Sequence, residues 1–284
     1  MSSSPSAYDL PSIAGEQVAG KRVLVRVDFN VPLDEDGEIT DDTRIAAALP
    51  TIEHLSRQEA TVVLISHLGR PKGQHVAALS LRPIADRLSE MLERPVGFLD
   101  DCVGEAVEAA VWAAEPGDVL LLENTRFHPE DTANDPDFAR QLARLGDLFV
   151  NDAFGTVHRA NASTAGVAAY IPAVTGFLLE RELQQLGHLV DAPNRPFTCI
   201  VGGLKVTDKI GVLESLVSHA DAVLIGGAMA NTFLKAKGAQ TGSSFVEDGE
   251  GVELAQRILE LAEEEDCTLM VPVDLVVAQA IKEG

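Results

Sequence analysis

Asp28 and Asn30 stand directly after an apolar run, in V-L-V-R-V-D-F-N-V-P-L (Val23–Leu33). A short carboxylate and a short amide in that place can grip hydroxyl groups. Arg44 lies downstream, and three later apolar runs are also followed by cationic side chains. T-V-V-L-I-S-H-L-G-R-P carries His67 and Arg70, V-L-L-L-E-N-T-R-F-H carries Arg126, and L-F-V-N-D-A-F-G-T-V-H-R carries Arg159. Guanidinium forks match phosphate and carboxylate oxygens two at a time. Four arginines and a histidine after successive strands in a chain of net charge −22 point to an anion held in one cleft, where positive charge is concentrated and the field focused. A second group follows in F-T-C-I-V-G-G-L-K-V-T-D-K. Here Gly202 and Gly203 let a ligand approach the backbone, and Lys205 and Lys209 bring charge beside a helix start, a favourable place for phosphate. Gly226 and Gly227 end a later apolar run in the same way.

The elements that must position these residues are strands alternating with helices. Strands are predicted from Val23, at Thr61–His67, Pro95–Asp100, Val119–Glu123 and Leu148–Asn151, and again at Phe197–Val201, Val223–Ile225 and Leu269–Val273. Helices are predicted from Thr43 to about Arg57, after Ser80 as N-cap with Pro83 in the first turn, at Cys102–Ala114, around Pro136–Leu145, at Gly176–Val190, from a Thr207 cap to about His219, at Met229–Lys237 and at Gly251–Glu264. Near-continuous apolar strands separated by helices mean parallel sheets covered on both faces. In an open α/β sheet, ligands bind beyond the carboxyl ends of the strands, where the cationic residues fall.

Length favours two domains: residues 1–175, a connecting helix over 176–193, and an incomplete second domain over 194–284. Met1–Gly20 reads as a partly mobile lead-in. Its Gly15-E-Q-V-A-Gly20-Lys21 imitates a phosphate loop. It precedes a strand and ends in Arg22, so it is rejected as a nucleotide site. Seven lysines against fifteen arginines and 44 acidic residues argue against nucleic acid and against a membrane surface, and suggest adaptation to high salt. Cys102, Cys199 and Cys267 have no C-x-x-C spacing and read as buried apolar residues in a reducing compartment, with no disulfide and no metal site. The uncharged stretch Ala160–Leu179 is too rich in small and polar residues, and too broken by Pro172, for a membrane span. No G-x-G-x-x-G follows a strand, which argues against a dinucleotide oxidoreductase.

Taken together, V-L-V-R-V-D-F-N-V-P-L, S-H-L-G-R-P, L-L-L-E-N-T-R-F-H, V-N-D-A-F-G-T-V-H-R-A, G-G-L-K-V-T-D-K and L-I-G-G-A-M-A-N-T-F-L resemble the phosphoglycerate kinase family in order and spacing. The acidic composition looks like that of a haloarchaeal member. The resemblance implies two Rossmann-like domains and transfer of a phosphoryl group between 1,3-bisphosphoglycerate or 3-phosphoglycerate and ADP or ATP, with Mg2+, in a cytoplasmic monomer. It implies a 3-phosphoglycerate site at Asp28, Phe29, Asn30, Arg44, His67, Leu68, Gly69, Arg70, Arg126 and Arg159. It implies a nucleotide surface at Gly202, Gly203, Lys205, Lys209, Gly226 and Gly227, with Arg44 and Lys205 acting on the transferring group. Leu204, where a small residue is usual, and Asn161, where a second histidine is usual, depart from the pattern. The family's W-N-G-P and G-G-G-D-T segments are absent from the sequence, so the chain is expected to be a first domain with about half of a second. The competing expectation is a non-catalytic fragment that binds an acidic metabolite.

Overall fold

The computed structural model describes residues 10–276 and residue 278. The chain divides into two compact units, the first ending at Gly187 and the second beginning at His188. The division falls inside one helix, Phe177–Asp191.

The first unit is built on β1 (Arg22–Arg26), β2 (Thr61–Ile65), β3 (Gly97–Leu99), β4 (Val119–Leu122), β5 (Leu148–Asn151) and β6 (Ala173–Thr175), all parallel, in the order β3-β4-β2-β1-β5-β6. Val23 lies opposite Val62 on one side and Leu148 on the other. Alternation then sends successive side chains to opposite faces. Val23, Val25, Val62 and Leu64 join one core with Ile45, Ile52 and Leu55 of α1 (Thr43–Arg57) and Ile84 and Leu88 of α2 (Arg82–Met91). Leu24, Val63, Ile65 and Phe149 join the other with Val107 and Val111 of α3 (Glu105–Ala113), beyond which come α4 (Pro129–Ala133) and then α5 (Pro136–Ala143), whose Phe138 and Leu142 complete it. Burial on both faces is why these strands read as unbroken apolar runs. Each fully buried Leu or Ile contributes about 1.5–3 kcal/mol against exposure.

Several local expectations change. Residues 1–9 of the expected mobile lead-in lie outside the described residues. From Pro11 onward it is packed. Ile13 and Val18 are fully buried, Thr175 donates from its backbone to Pro11 O at 2.8 Å, and Ser12 donates to Glu180 Oε2 at 2.6 Å. Two apolar side chains with a core to enter outweigh the Ser/Pro composition. The Ser80 hydroxyl does accept from Arg82 N at 3.2 Å, but the cap position is Leu81, because Glu123 takes both the Ser80 hydroxyl and the Leu81 amide. The uncharged stretch Ala160–Leu179 holds a π-turn at Ala162–Gly166, a 3-10 turn at Val167–Ala169 and β6, a strand not foreseen. No helix of the described residues is long and apolar enough to cross a membrane.

Helix α6 (Phe177–Asp191) leads to the second unit. There β7 (Thr198–Gly202), α7 (Ile210–Val217), β8 (Ala222–Gly226), α8 (Met229–Ala236), α9 (Glu250–Glu264) and β9 (Thr268–Met270) follow in turn, with a parallel sheet in the order β7-β8-β9. Val223, Ile225, Leu213, Phe233 and Ile258 form its core. Among the described residues the opposite face of the sheet carries exposed apolar side chains: Ile200 is 80% and Met270 49% exposed. The fold class is thus α/β with parallel sheets throughout, six strands in the first unit and three among the described residues of the second.

Candidate anion-binding site

The chain passes from β1 to β2 on one side of β1, then from β4 to β5 on the other. Loops leaving the carboxyl ends of β1 and β5 therefore diverge and leave a crevice between them, the usual ligand place in such sheets. A cavity of about 180 Å³ lies there. It is lined by Asp28 and Asn30 after β1, Arg44 at the start of α1, His67, Gly69 and Arg70 after β2, Arg126 after β4, and Gly155, Thr156 and Arg159 after β5. All seven polar side chains singled out between Asp28 and Arg159 meet here.

Each is held by a specific contact. Arg44 Nη1 donates to Asp28 Oδ2 at 2.6 Å, with the Asp28 side chain largely buried and Arg44 half exposed. Gly69 N donates to Asn30 Oδ1 at 2.8 Å, and Arg126 Nη1 donates to Gly69 O at 2.9 Å. The loop after β2 is thereby fixed from both sides. Gly69 itself has φ +61°, a left-handed conformation that suits glycine. Arg126 Nε is buried with no protein acceptor. A donor in that state suits an arriving anion. Burial and the neighbouring Arg159 charge lower the Arg126 pKa.

His67 is 2% exposed, and its Nδ1 lies 3.0 Å from Nη2 of Arg26. Burial, then Arg26, Arg126, Arg159 and Arg44, push its pKa down to about 2. Arg26 is fully buried, and burial lowers its pKa to about 10, so the guanidinium stays charged at neutral pH. His67 therefore serves the cavity as a neutral hydrogen-bonding group, and the positive charge comes from arginine. A second cationic cavity, of about 390 Å³, adjoins the first through shared Arg70, Arg126 and Arg159, and adds Lys72.

Two expected contacts take a different form. The side chains of Phe29 and Leu68 are buried in the core and do not line the cavity. Phe29 offers its backbone N to Ser66 Oγ at 2.9 Å, and Leu68 exchanges backbone bonds with the Asn124 amide, at 3.3 Å to Oδ1 and 2.8 Å from Nδ2. They hold the loops in shape. Sequence reasoning missed Gly155, Thr156, Arg26 and Asn124. The first two stand in D-A-F-G-T, right after a strand, and Arg26 is a charge inside an apolar strand. Both were available signals. A Cβ at Gly155 would lie 2.5 Å from Asp28 Oδ2, so this position must stay bare for the carboxylate to sit where Arg44 reaches it.

In the second unit the four glycines come together. Gly202 is paired with Gly226 across β7 and β8, and a Cβ on Gly227, at φ +65°, would press on Gly203 N and O at 3.1 Å. Lys205 and Lys209 are exposed beside them, and Leu204 is 53% exposed at the turn. The expected Thr207 cap does not form. Thr207 lies in a 3-10 turn, and the Glu247 carboxylate accepts from Val206 N at 2.6 Å, Thr207 N at 3.2 Å and the Thr207 hydroxyl at 2.5 Å. Burial opposes this carboxylate, but the bonds from Thr207 and Val206 and the Lys205 charge hold its pKa below the ordinary value. The cysteines also differ from expectation: Cys102 and Cys267 are buried, while Cys199 is only half-buried.

The sequence model of the phosphoglycerate kinase family matches residues 13–284. The phosphoglycerate kinase of Chloroflexus aggregans is 58% identical over 264 residues, covering 92% of this chain and 66% of its own length. That of Moorella thermoacetica is 56% identical over 266 residues, covering 94% and 67%. The structure of phosphoglycerate kinase from Coxiella burnetii superposes with a TM-score of 0.84 at 42% identity, covering 93% of this chain and 66% of that one. The Pyrococcus horikoshii enzyme gives 0.72 at 31% identity, with 90% and 64% covered. The chain thus spans about two thirds of the length of these relatives. High identity to bacterial proteins, against 31% to this archaeal one, does not support a haloarchaeal origin. By this match over nearly its whole described length, the chain belongs to the phosphoglycerate kinase family.

Proposed function

We propose that this chain carries the acidic-substrate site and part of the nucleotide surface of a phosphotransferase that moves a phosphoryl group between 1,3-bisphosphoglycerate or 3-phosphoglycerate and ADP or ATP. The observation that supports the reading best is the 180 Å³ cavity at the switch point, where Arg44, Arg70, Arg126, Arg159 and neutral His67 face Asp28 and Asn30. The guanidinium groups bind the phosphate of the substrate, and Asp28 and Asn30 take its hydroxyl. Arg44 balances the charge that builds on the transferring group, with Lys205 supplied by the nucleotide side. The attacking group is a carboxylate, ionised at neutral pH, so the chain needs no general base. What it must supply is position and positive charge.

Gly202, Gly203, Gly226 and Gly227 give a bare surface on which a nucleotide can lie, and Lys205 and Lys209 pair with its phosphates. Mg2+ takes oxygen ligands and arrives with those phosphates. Among the described residues the one group of three potential metal ligands is Asp101, Cys102 and His128, which includes a thiol and belongs to the first unit, whereas the glycine turns belong to the second. The described residues do not supply a magnesium cage. The cytoplasmic placement, the monomeric state and the adaptation to salt belong to the same proposal.

Calorimetric titration of the 284-residue chain with 3-phosphoglycerate tests the reading. Binding is expected, with at least about tenfold weaker affinity in Arg126→Ala, the scale of one lost charge-assisted contact. Glycerate, which lacks the phosphate, is expected to bind far more weakly. Equal affinity for both ligands, or no binding of either, overturns the assignment of the cavity.

A further inference from the structure

Outside the anion cavity, Asp101, Cys102 and His128 bring a carboxylate oxygen, a thiol sulfur and an imidazole nitrogen all within 4.8 Å of one another. Their spacing in the chain, 101, 102 and 128, carries no metal signature, and the cysteine taken alone reads as a core residue. The fold gathers them. Asp101 and Cys102 lie on the loop between β3 and α3, and His128 immediately precedes α4.

We infer that Asp101, Cys102 and His128 form a binding site for a thiophilic divalent cation of the zinc class. Nitrogen, sulfur and oxygen donors together suit this class, whereas Mg2+ prefers oxygen alone. Zinc sits about 2.0–2.3 Å from such donors, which puts neighbouring donors roughly 3.3–3.8 Å apart. His128 Nε2 and Asp101 Oδ1 are now 2.8 Å apart and need only part to admit the ion, while the sulfur, within 4.8 Å of both donors, closes onto it. The imidazole ring is braced against Phe138, centroid to centroid 5.1 Å, so its direction is already set. The approach is open. Asp101 is exposed and His128 half-buried at the rim, with Cys102 fully buried beneath. Three protein donors leave a fourth position for water. As the metal–sulfur bond forms, the thiol proton leaves to solvent. A plain His–Asp pair would account for two of these residues. The metal site adds the thiol, and the test reads the thiol.

Co2+, a spectroscopic substitute for Zn2+, should be titrated into the full 284-residue chain. The expected result is a thiolate-to-cobalt charge-transfer band that Zn2+ abolishes and excess Mg2+ leaves alone. The band should vanish in Cys102→Ser and persist in a Cys199→Ser/Cys267→Ser double variant. Asp101→Asn and His128→Asn, on the rim, should each weaken Zn2+ affinity at least about tenfold, and they carry the test should Cys102→Ser fail to fold. Circular dichroism checks the fold of each. A band that survives in Cys102→Ser, no band at all, or Zn2+ affinity unchanged in both rim variants overturns the site.

Discussion

Arg26 Nη2 donates to Nδ1 of His67 at 3.0 Å, at the base of the anion cavity. Arginine can only donate, so Nδ1 accepts and the imidazole proton rests on Nε2. A charge buried in a strand thereby sets the tautomer of the histidine above it. Arg26 also donates from Nη1 to Val27 O, while its Nε has no partner.

His67 gives a signed pH dependence. Its folded pKa is about 2, against an ordinary 6.5, so below 6.5 the unfolded chain binds a proton that the folded chain refuses. Stability therefore falls as pH drops from 6.5 toward 2, by up to about 1.4 kcal/mol per pH unit from this group. Asp152, whose pKa burial raises, acts in the opposite sense in the carboxylate range. Urea unfolding at pH 7.5 and pH 5.0 should show a loss in the wild type that is smaller in His67→Gln. An identical loss in both would show that His67 does not carry the effect. Nitrogen NMR should find the His67 ring protonated at Nε2, and Arg26→Met should relax that preference.

Gly155→Ala should separate binding from folding. The new Cβ meets Asp28 Oδ2 at 2.5 Å, and this oxygen is the free end of a side chain, so it moves aside and abandons its 2.6 Å bond to Arg44. Affinity for 3-phosphoglycerate should drop about tenfold, the value of one hydrogen bond to a charged group. The melting temperature should move by only a few degrees. Unchanged affinity would remove the Asp28–Arg44 pair from the binding geometry.

Glu247→Ala should destabilise the second unit by about 1 kcal/mol, because the Val206 and Thr207 amides lose the acceptor that caps them. Removing a carboxylate beside Lys205 should also tighten binding of ADP. Denaturant unfolding reads the first effect and nucleotide titration the second. Weaker ADP binding would mean that the carboxylate is needed to shape the turn.

Stability should rise with salt. A net charge of −22 repels itself in dilute buffer, and the screening length shrinks from about 10 Å at 0.1 M to about 3 Å at 1 M. Thermal melts in sodium chloride across that range should climb. A flat or falling melting temperature would remove salt adaptation, which rests on composition alone.

The alternation of strands and helices was legible without coordinates because both faces of these sheets are buried, and burial writes itself as apolar runs. The cationic residues were legible because each follows such a run, and parallel strands put all their carboxyl ends on one edge. Asp28, Asn30, Arg44, His67, Arg70, Arg126 and Arg159 could therefore be gathered from chain order. The tertiary structure decided what depends on distance between remote segments. Glu247, forty positions from Thr207, takes the hydroxyl that was expected to cap the helix locally, because a carboxylate is a stronger acceptor than a neutral group. Gly155 is needed only because Asp28 stands against it. Arg26 reads as one more strand residue until His67, 41 positions away, closes over it. Asp101 and Cys102 meet His128 across a sheet strand and a helix. Periodicity reports which face a residue turns inward. It cannot report which partner waits there, since that is set by how the elements pack.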